Sequence, residues 1–333
     1  MNQFPAKQRG VALIVVLMIV AMVAVIATKI NSRNQLSVRR TLNLAEYNQA
    51  FWYAISAEEL AKKVLKQDFE DADGTVHLQQ YWAQAGMLFP AENGEIGGTI
   101  SDLQSCFNLN ALSVESQKIE NGLPILPLAA VQYKGLLVAL GMDDFGAERL
   151  THTLKDYIDE DSTASQFGAE DSDYASRIVP YRAANTLMNH RSELRAVLGY
   201  TQNIYLTLLP YICVIPGNAT HVLNVNTIKL EQAALLAGMF DNKISVNEAE
   251  SLINQRPGDG FETVEDFTQL PSIANLMSAD DALKSSFAVT SQYFKAEVVA
   301  KVESATFRLE SVLKVSGEGS NIEILTRQFG GQK

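Results

Sequence analysis

The 333-residue sequence predicts an α+β fold: a long N-terminal helix packed on an antiparallel sheet that is interrupted by a large all-α insertion of two related subdomains. Three observations carry this expectation. No Gly or Pro occurs between Ala12 and Phe69, so one helix can run unbroken from an apolar start into an amphipathic continuation. Extended, alternating segments stand early, around residues 94–107, and again at the end, in residues 293–328. The stretch between them reads as helix, which makes it an insertion between strands of one sheet.

The first element opens at a switch from charge to apolarity. Lys7-Gln8-Arg9-Gly10 runs without a spacer into Val11-Ala12-Leu13-Ile14-Val15-Val16-Leu17-Met18-Ile19-Val20. A secretory signal places a small-residue cleavage site after its apolar core, and no persuasive site followed by a loop stands between Val11 and Ala27. Val11 to Ile30 gives about 30 Å of helix, enough to span a hydrocarbon core. Lys7 and Arg9 favour a cytoplasmic leader, while Arg33, Arg39 and Arg40 on the far side pull against that orientation. A polar leader cut ahead of an apolar segment resembles the type IV prepilins and type II secretion pseudopilins. That likeness implies cleavage between Gly10 and Val11 and N-methylation of the new terminus; a plain signal-anchor helix is the competing expectation.

Beyond the apolar run, Leu36, Leu42, Ala45, Phe51, Ile55, Leu60 and Val64 recur at mixed three- to six-residue spacings, predicting a stem whose second half packs on a globular body. Asp71-Ala72-Asp73-Gly74 ends it. Residues 11–70 are therefore the stem, with 11–30 transmembrane. Gly94-Glu95-Ile96-Gly97-Gly98-Thr99-Ile100 predicts a strand or a hairpin half with a Gly-rich break, continuing through Asp102 to Phe107. Its partners are expected in Tyr293–Lys301, Thr306–Val315 and Asn321–Gln328, the last two joined by a turn at residues 316–320. The β domain is thus 71–107 plus 287–333, and the insertion 108–286.

Composition narrows the partners. With 27 basic and 38 acidic residues the net charge is −11, and loss of Lys7 and Arg9 with the leader takes it to −13. Such a balance disfavours nucleic acid, because phosphate binding needs clustered Lys and Arg, and it suits cations. Two cysteines, Cys106 and Cys213, are compatible with one disulfide outside the cytoplasm or with two buried thiols.

The insertion contains an internal echo. Phe107-Asn108-Leu109-Asn110-Ala111-Leu112 and Leu223-Asn224-Val225-Asn226-Thr227-Ile228 share an apolar-Asn-apolar-Asn pattern, with the second Asn expected to cap or turn. Two copies predict two related helical subdomains. The second copy resembles a helix-hairpin-helix or SAM-like unit, a layout often tied to DNA. Its hairpin, Leu236-Ala237-Gly238-Met239-Phe240-Asp241-Asn242-Lys243, has one glycine and one lysine beside an aspartate, a poor phosphate cradle.

Between the copies lies the strongest chemical constellation, an acidic loop over residues 156–174. Seven carboxylates fall from Asp156 to Asp173, and no Lys or Arg intervenes before Arg177. The loop must be solvated or bridged, and oxygen ligands of this density suit Ca²⁺. Tyr157, Ile158, Phe167 and Tyr174 are interleaved as apolar anchors, which argues against a disordered acidic linker. Asp159, Asp161 and Glu170 fall at positions 1, 3 and 12 of an EF-hand loop, but Ala164 stands where that turn needs Gly and no exiting helix is legible.

Catalytic signals are thin. His77, His152, His190 and His221 are scattered without ligand-spaced neighbours, and no nucleophile elbow, P-loop or Rossmann glycine pattern occurs. A membrane-anchored enzyme and a membrane-anchored helix-hairpin-helix protein are the alternatives.

Taken in order, the Gly10-Val11 junction, the stem, the interrupted sheet, Asp159-x-Asp161 followed by Gly168-Ala169-Glu170-Asp171, Pro180-Tyr181-Arg182-Ala183-Ala184-Asn185 and Leu223-Asn224-Val225-Asn226-Thr227 resemble the type II secretion minor pseudopilin K family over nearly the whole chain. The resemblance implies a non-enzymatic tip subunit of the pseudopilus, held single-pass in the bacterial inner membrane with its bulk in the periplasm. It implies partners: the minor pseudopilins I and J, the H and major G pseudopilins, and the prepilin peptidase. It implies two calcium ions, carried over to Asp159, Asp161, Glu170 and Asp171, with Asp173 a further candidate, and a Cys106–Cys213 disulfide. One departure from the wider pilin pattern stands out. The fifth residue after the cut is Val15 where most pilins carry Glu, and a subunit without that intramembrane carboxylate has no charge pairing to offer there, which predicts a place at one end of the fibre.

Overall fold

The computed structural model describes residues 11–330 apart from Asp73, Ala85, residues 116–118 and 121–122, Ile125, Ala279 and Glu318. The leader, with Gly10, lies outside the described residues. The stem is one helix, α1 (Val11–Asp71), of 61 residues. Residues 11–45 are exposed throughout, and an 18-residue window with mean hydropathy 3.1 has none of its residues buried. This is the length and apolarity of a single-pass anchor carrying a soluble bulk.

The second half of α1 lies on a five-stranded antiparallel sheet in the order β1 (Met87–Ala91), β2 (Gly94–Asp102), β3 (Tyr293–Val302), β4 (Ala305–Ser316) and β5 (Asn321–Phe329). β1 holds Pro90, which an edge strand tolerates. Gly97-Gly98 does not break β2 as the sequence suggested; both pair with β3, opposite Val299 and Val298. Two apolar clusters fill the seam between helix and sheet. Ala50 and Ala54 meet Val298, Ala300, Phe307 and Leu309 on the membrane side, and Ala61, Leu65 and Phe69 meet Trp82, Phe294, Leu313 and Val315 farther along.

The packed face of the stem differs from the expected one. Positions 50, 54, 58, 61, 65 and 69 fall on one side of a 3.6-residue helix and are buried. Leu42, Ala45 and Leu60 lie off that face and are exposed, Leu36 is exposed because it stands on the membrane side of the sheet contact, and Phe51, Ile55 and Val64 flank the face. Alanines at 50 and 54 carry the membrane-side contact, so the helix sits close on the sheet there, and Leu65 and Phe69 fill the seam farther along.

The insertion leaves the sheet at Asp102 and returns at Tyr293, the end farthest from the membrane segment. Each Asn repeat begins in a two-residue parallel bridge, Phe107–Asn108 with Ile212–Cys213 and Leu223–Asn224 with Phe287–Ala288. Phe107 and Phe287, assigned from sequence to the β domain, thus pair inside the insertion. The asparagine roles also need correction, because the first Asn of each pair makes the turn. Asn108 Oδ1 accepts from Asn110 N at 3.3 Å, and Asn224 Oδ1 from Asn226 N at 2.9 Å. The second Asn is a buried pin: Asn110 Nδ2 donates to Met188 O and Ile215 O, at 2.9 and 3.0 Å, and its Oδ1 accepts from Met188 N at 2.8 Å. Asn226 repeats this with Phe261 O, Val289 O and Phe261 N.

The core of the insertion joins α2 (Leu128–Ala139), α3 (Asp144–Ile158), α6 (Ala233–Met239) and α7 (Val246–Asn254); between them in sequence stand α4 (Asp171–Ala175) and α5 (Gln202–Leu208). Gly238 of the hairpin is a packing residue. A Cβ there would lie 2.5 Å from Leu136 N, and one on Gly135 would lie 2.6 Å from Gly238 O, so both glycines are needed for α2 and α6 to touch. The Cys106 and Cys213 sulfurs are bonded, with Cα atoms 5.7 Å apart, which ties the two ends of the first repeat together.

Candidate metal centre

Helix α3 delivers the acidic loop to a fixed place. Asp143 caps it, accepting from Gly146 N at 2.9 Å, and Ala147, Leu150, Leu154, Tyr157 and Ile158 anchor one face in the core. That amphipathic face carries Asp156 and Asp159 inward with it: they are 1 % and 3 % exposed. On the return side, Tyr174 of α4 stacks between Tyr157 and Tyr181, at 5.4 and 5.2 Å, and brings Glu170 in at 4 % exposure. The single turn α4 is the exiting helix that the sequence did not reveal; its five residues are too few to show periodicity.

The loop backbone closes tightly over these side chains. Asp156 Oδ2 accepts from Ser165 N at 2.9 Å, and a Cβ on Gly168 would fall 1.7 Å from that same oxygen. Ser165 Oγ is 2.8 Å from His152 Nδ1. Asn185, at φ 42°, reaches across to donate from Nδ2 to Asp161 O at 2.7 Å.

Five buried oxygens here have no donor. Asp156 Oδ1, Asp159 Oδ1, both carboxylate oxygens of Glu170 and Asn185 Oδ1 are buried without a hydrogen-bond partner. An unsatisfied buried acceptor costs about 1–3 kcal/mol, and more when charged. Burial, reinforced by the charges of Asp156 and Asp159, pushes the Glu170 carboxyl up to about 7. Burial likewise raises Asp156 and Asp159 above the usual carboxylate range. One amine answers this charge: Lys155 Nζ stands 3.0 Å from Asp159 Oδ2 and 2.6 Å from Glu115 Oε1. A hard divalent cation fits the oxygens left without a donor, since Ca²⁺ takes six to eight oxygens from carboxylates, amide carbonyls and water.

The residues expected from sequence are only partly brought together. Asp159 and Asp161 offer oxygens within 4.8 Å of each other and of Glu115, and Glu170 faces them from the other side of the loop. Asp171 and Asp173 are turned to backbone amides, accepting from Ala183 N at 3.0 Å and from Glu170 N at 3.1 Å. Sequence reading did not single out Asp156, Glu115 or Asn185 as ligands. Asp156 stood in the acidic run, and its inward position on the apolar face of α3 was the available signal; Glu115, 44 residues before Asp159, offered none.

Comparison with known proteins follows the same divisions. Models described as "Type II secretion system (T2SS), protein K" match residues 105–217 and 223–290, each containing one Asn repeat. Type II secretion system protein K of Aeromonas hydrophila is 40 % identical over 98 % of both chains, and that of Pectobacterium carotovorum is 36 % identical over 98 % of both. Among solved structures, a chain of the GspK–GspI–GspJ complex from enterotoxigenic Escherichia coli is similar at a TM-score of 0.78 and 34 % identity, covering 88 % of this chain and all of that one.

Proposed function

This chain belongs to the type II secretion system protein K family, and on that footing we propose that it acts as a non-enzymatic building block anchored in the bacterial inner membrane with its bulk in the periplasm. It is a minor pseudopilin of the pseudopilus tip, and its partners are the I and J pseudopilins. The observation that carries this is the placement of the insertion. Helix α1 runs from a membrane span onto the sheet, and the α-domain leaves the sheet at Asp102 and Tyr293, the end farthest from that span. A bulk there blocks further stacking above it and leaves the stem free below, the shape required of a subunit that begins and caps a fibre. Val15 at the fifth mature position agrees with this place, since it offers no carboxylate to a neighbour's terminal amine.

Within this reading, residues 1–10 are removed by prepilin peptidase and Val11 is methylated, and the H and G pseudopilins follow below the tip. Asp156, Asp159, Asp161 and Glu170, with Glu115 and Asn185, hold structural calcium. The ion would neutralise the buried carboxylates, while Gly168, Ser165 and Asn185 shape the loop around it. The orphaned oxygens of Asp156, Asp159, Glu170 and Asn185 support that assignment.

The test is co-purification of the full-length protein with the I and J pseudopilins of the same bacterium from detergent-solubilised membranes, with mass spectrometry of the recovered chain. The expected result is a complex containing all three and a chain starting at methylated Val11. An intact Met1 and no associated pseudopilin return the protein to a plain membrane-anchored domain.

A further inference from the structure

The seam between α1 and the sheet contains a notch. On the stem-facing side of β2 the residues alternate Ile96, Gly98, Ile100, opposite Ala300, Val298 and Ala296 of β3. Gly98 has no side chain where the pattern calls for a large apolar one. The two apolar clusters under the stem part at this point, Ile96 belonging to one and Ile100 to the other. The gap is a cavity of about 190 Å³, open to solvent and bounded by Ala57, Leu60 and Val64 of α1, Phe89 of β1 and Trp82.

Its rim is apolar and unusually bare. Leu60 and Phe89 are each 42 % exposed, and Trp52, two turns before Leu60 on α1, is 64 % exposed. Trp52, Ser56, Leu60 and Val64 succeed one another at four-residue intervals, one stripe along α1 beside the notch. A solvated apolar notch of this kind is costly to an isolated protein, because its lining forgoes both burial and dispersion contacts.

We propose that the Gly98 notch is the socket for one large apolar side chain on the stem helix of a neighbouring membrane-anchored subunit. The occupant follows from the continuity of α1: the stripe Trp52–Val64 lies on the same unbroken helix as the span Val11–Ile30. A second amphipathic helix leaving the membrane beside that span and running parallel to α1 arrives at the notch, between Leu60 and Phe89. Packing of this knob-into-hole kind concentrates binding in a few filled pockets. The inference rests on the tip reading and gives it a contact surface.

Filling the hole in cis is the test. A Cβ on Gly98 would lie 3.3 Å from Glu297 O and 3.7 Å from Val298 Cγ2, so a strand-favouring side chain enters with a small backbone adjustment. Full-length Gly98→Val is expected to melt at or above the temperature of the natural protein, because it fills its own cavity, yet to recover about tenfold less of the I and J pseudopilins in detergent co-purification. Leu60→Glu, on the exposed rim, is expected to lose the partners to a similar extent without unfolding. If the natural protein captures I and J and both variants capture them equally well, the socket is wrong and the tip reading stands. If the natural protein captures neither, both fall.

Discussion

Glu58, in the middle of the stem, and Arg327, on the last strand, form a two-pronged ion pair across the helix–sheet seam: Arg327 Nη2 is 2.7 Å from Glu58 Oε1 and Nε is 3.0 Å from Oε2. Glu58 is completely buried, and Ser311 also donates to it. Burial works to raise the Glu58 carboxyl, but the Arg327 and Ser311 hydrogen bonds outweigh it and hold it below its ordinary 4.5. A carboxylate placed among Ala54, Ala61 and Leu65 fixes the register of the stem on the sheet, since sliding the helix would strand the charge.

Arg327→Met leaves that buried carboxylate without a counter-charge. The expected loss is about 3–5 kcal/mol, read by chemical denaturation of the full-length protein in detergent. Because the native pKa is depressed, the contribution of Glu58 is present above its unfolded pKa and is lost as pH falls through the depressed native value. The gap between natural protein and Arg327→Met should therefore narrow in acid; a constant gap would show that the guanidinium acts by packing alone.

The disulfide is expected to matter through the length of chain it closes. Cys106 and Cys213 are 107 residues apart, a loop whose closure in the unfolded chain is worth at most about 5 kcal/mol. Cys106→Ala/Cys213→Ala should lower the melting temperature while leaving the sheet intact, because the bond spans the first repeat. Hydrogen exchange should locate the loss in residues 105–217, and uniform loss over the whole chain would contradict that placement.

Two groups at the joint between sheet and insertion tilt stability in opposite senses with pH. Burial depresses His221 from 6.5 to about 3; its ring packs on Phe107 at 4.3 Å, and Nδ1 accepts from Asn108 N at 3.4 Å. The unfolded chain binds that proton more readily, so stability is lost as pH falls below 6.5 towards 3. Asp102 is raised by burial from 3.8 to about 6, despite accepting from Ser291, Thr227, Gln104 and Asn224. Its native state holds the proton more tightly, so stability falls as pH rises from 3.8 through 6, by an amount on the order of 3 kcal/mol. Between pH 4 and 6, His221→Phe should flatten the rising limb and Asp102→Asn the falling one; identical slopes in both variants and the natural protein would refute this assignment.

Calcium addition is expected to raise the melting temperature of the full-length protein, and chelator to reverse it, by linkage. Asp159→Asn and Glu170→Gln should abolish the response. Asp171→Asn and Asp173→Asn should keep it at little cost, since the amide oxygen still accepts from Ala183 N and Glu170 N. Loss of the calcium response in Asp173→Asn would restore that residue to the ligand set.

Much of the architecture was legible in the sequence because it rests on periodicity. The stem, the late strands and the Asn echo are local patterns of apolar spacing and turn chemistry. What failed was any question of which face meets which. Leu60 looked like a packing residue, yet Ala50, Ala54, Ala61, Leu65 and Phe69 make the contact, because the side of the helix that faces the sheet and not hydrophobicity alone decides burial. Asn110 looked like a cap, yet it pins Met188 and Ile215 more than 70 residues away. The acidic loop announced a charge problem, but its carboxylates were sorted by the direction of α3 and by α4.

The sequence by itself determined an apolar helix continuous with a stem, an interrupted antiparallel sheet, a repeated Asn motif and an acidic loop, since each is written in residue spacing along one segment. Only the tertiary structure decided that Glu58 meets Arg327, that Glu115 comes beside Asp159 and Asp161 while Asp171 and Asp173 turn to backbone amides, and that Gly98 leaves a notch. Those outcomes depend on side chains from distant segments sharing one volume, where burial removes water and makes each unpaired oxygen or empty space consequential.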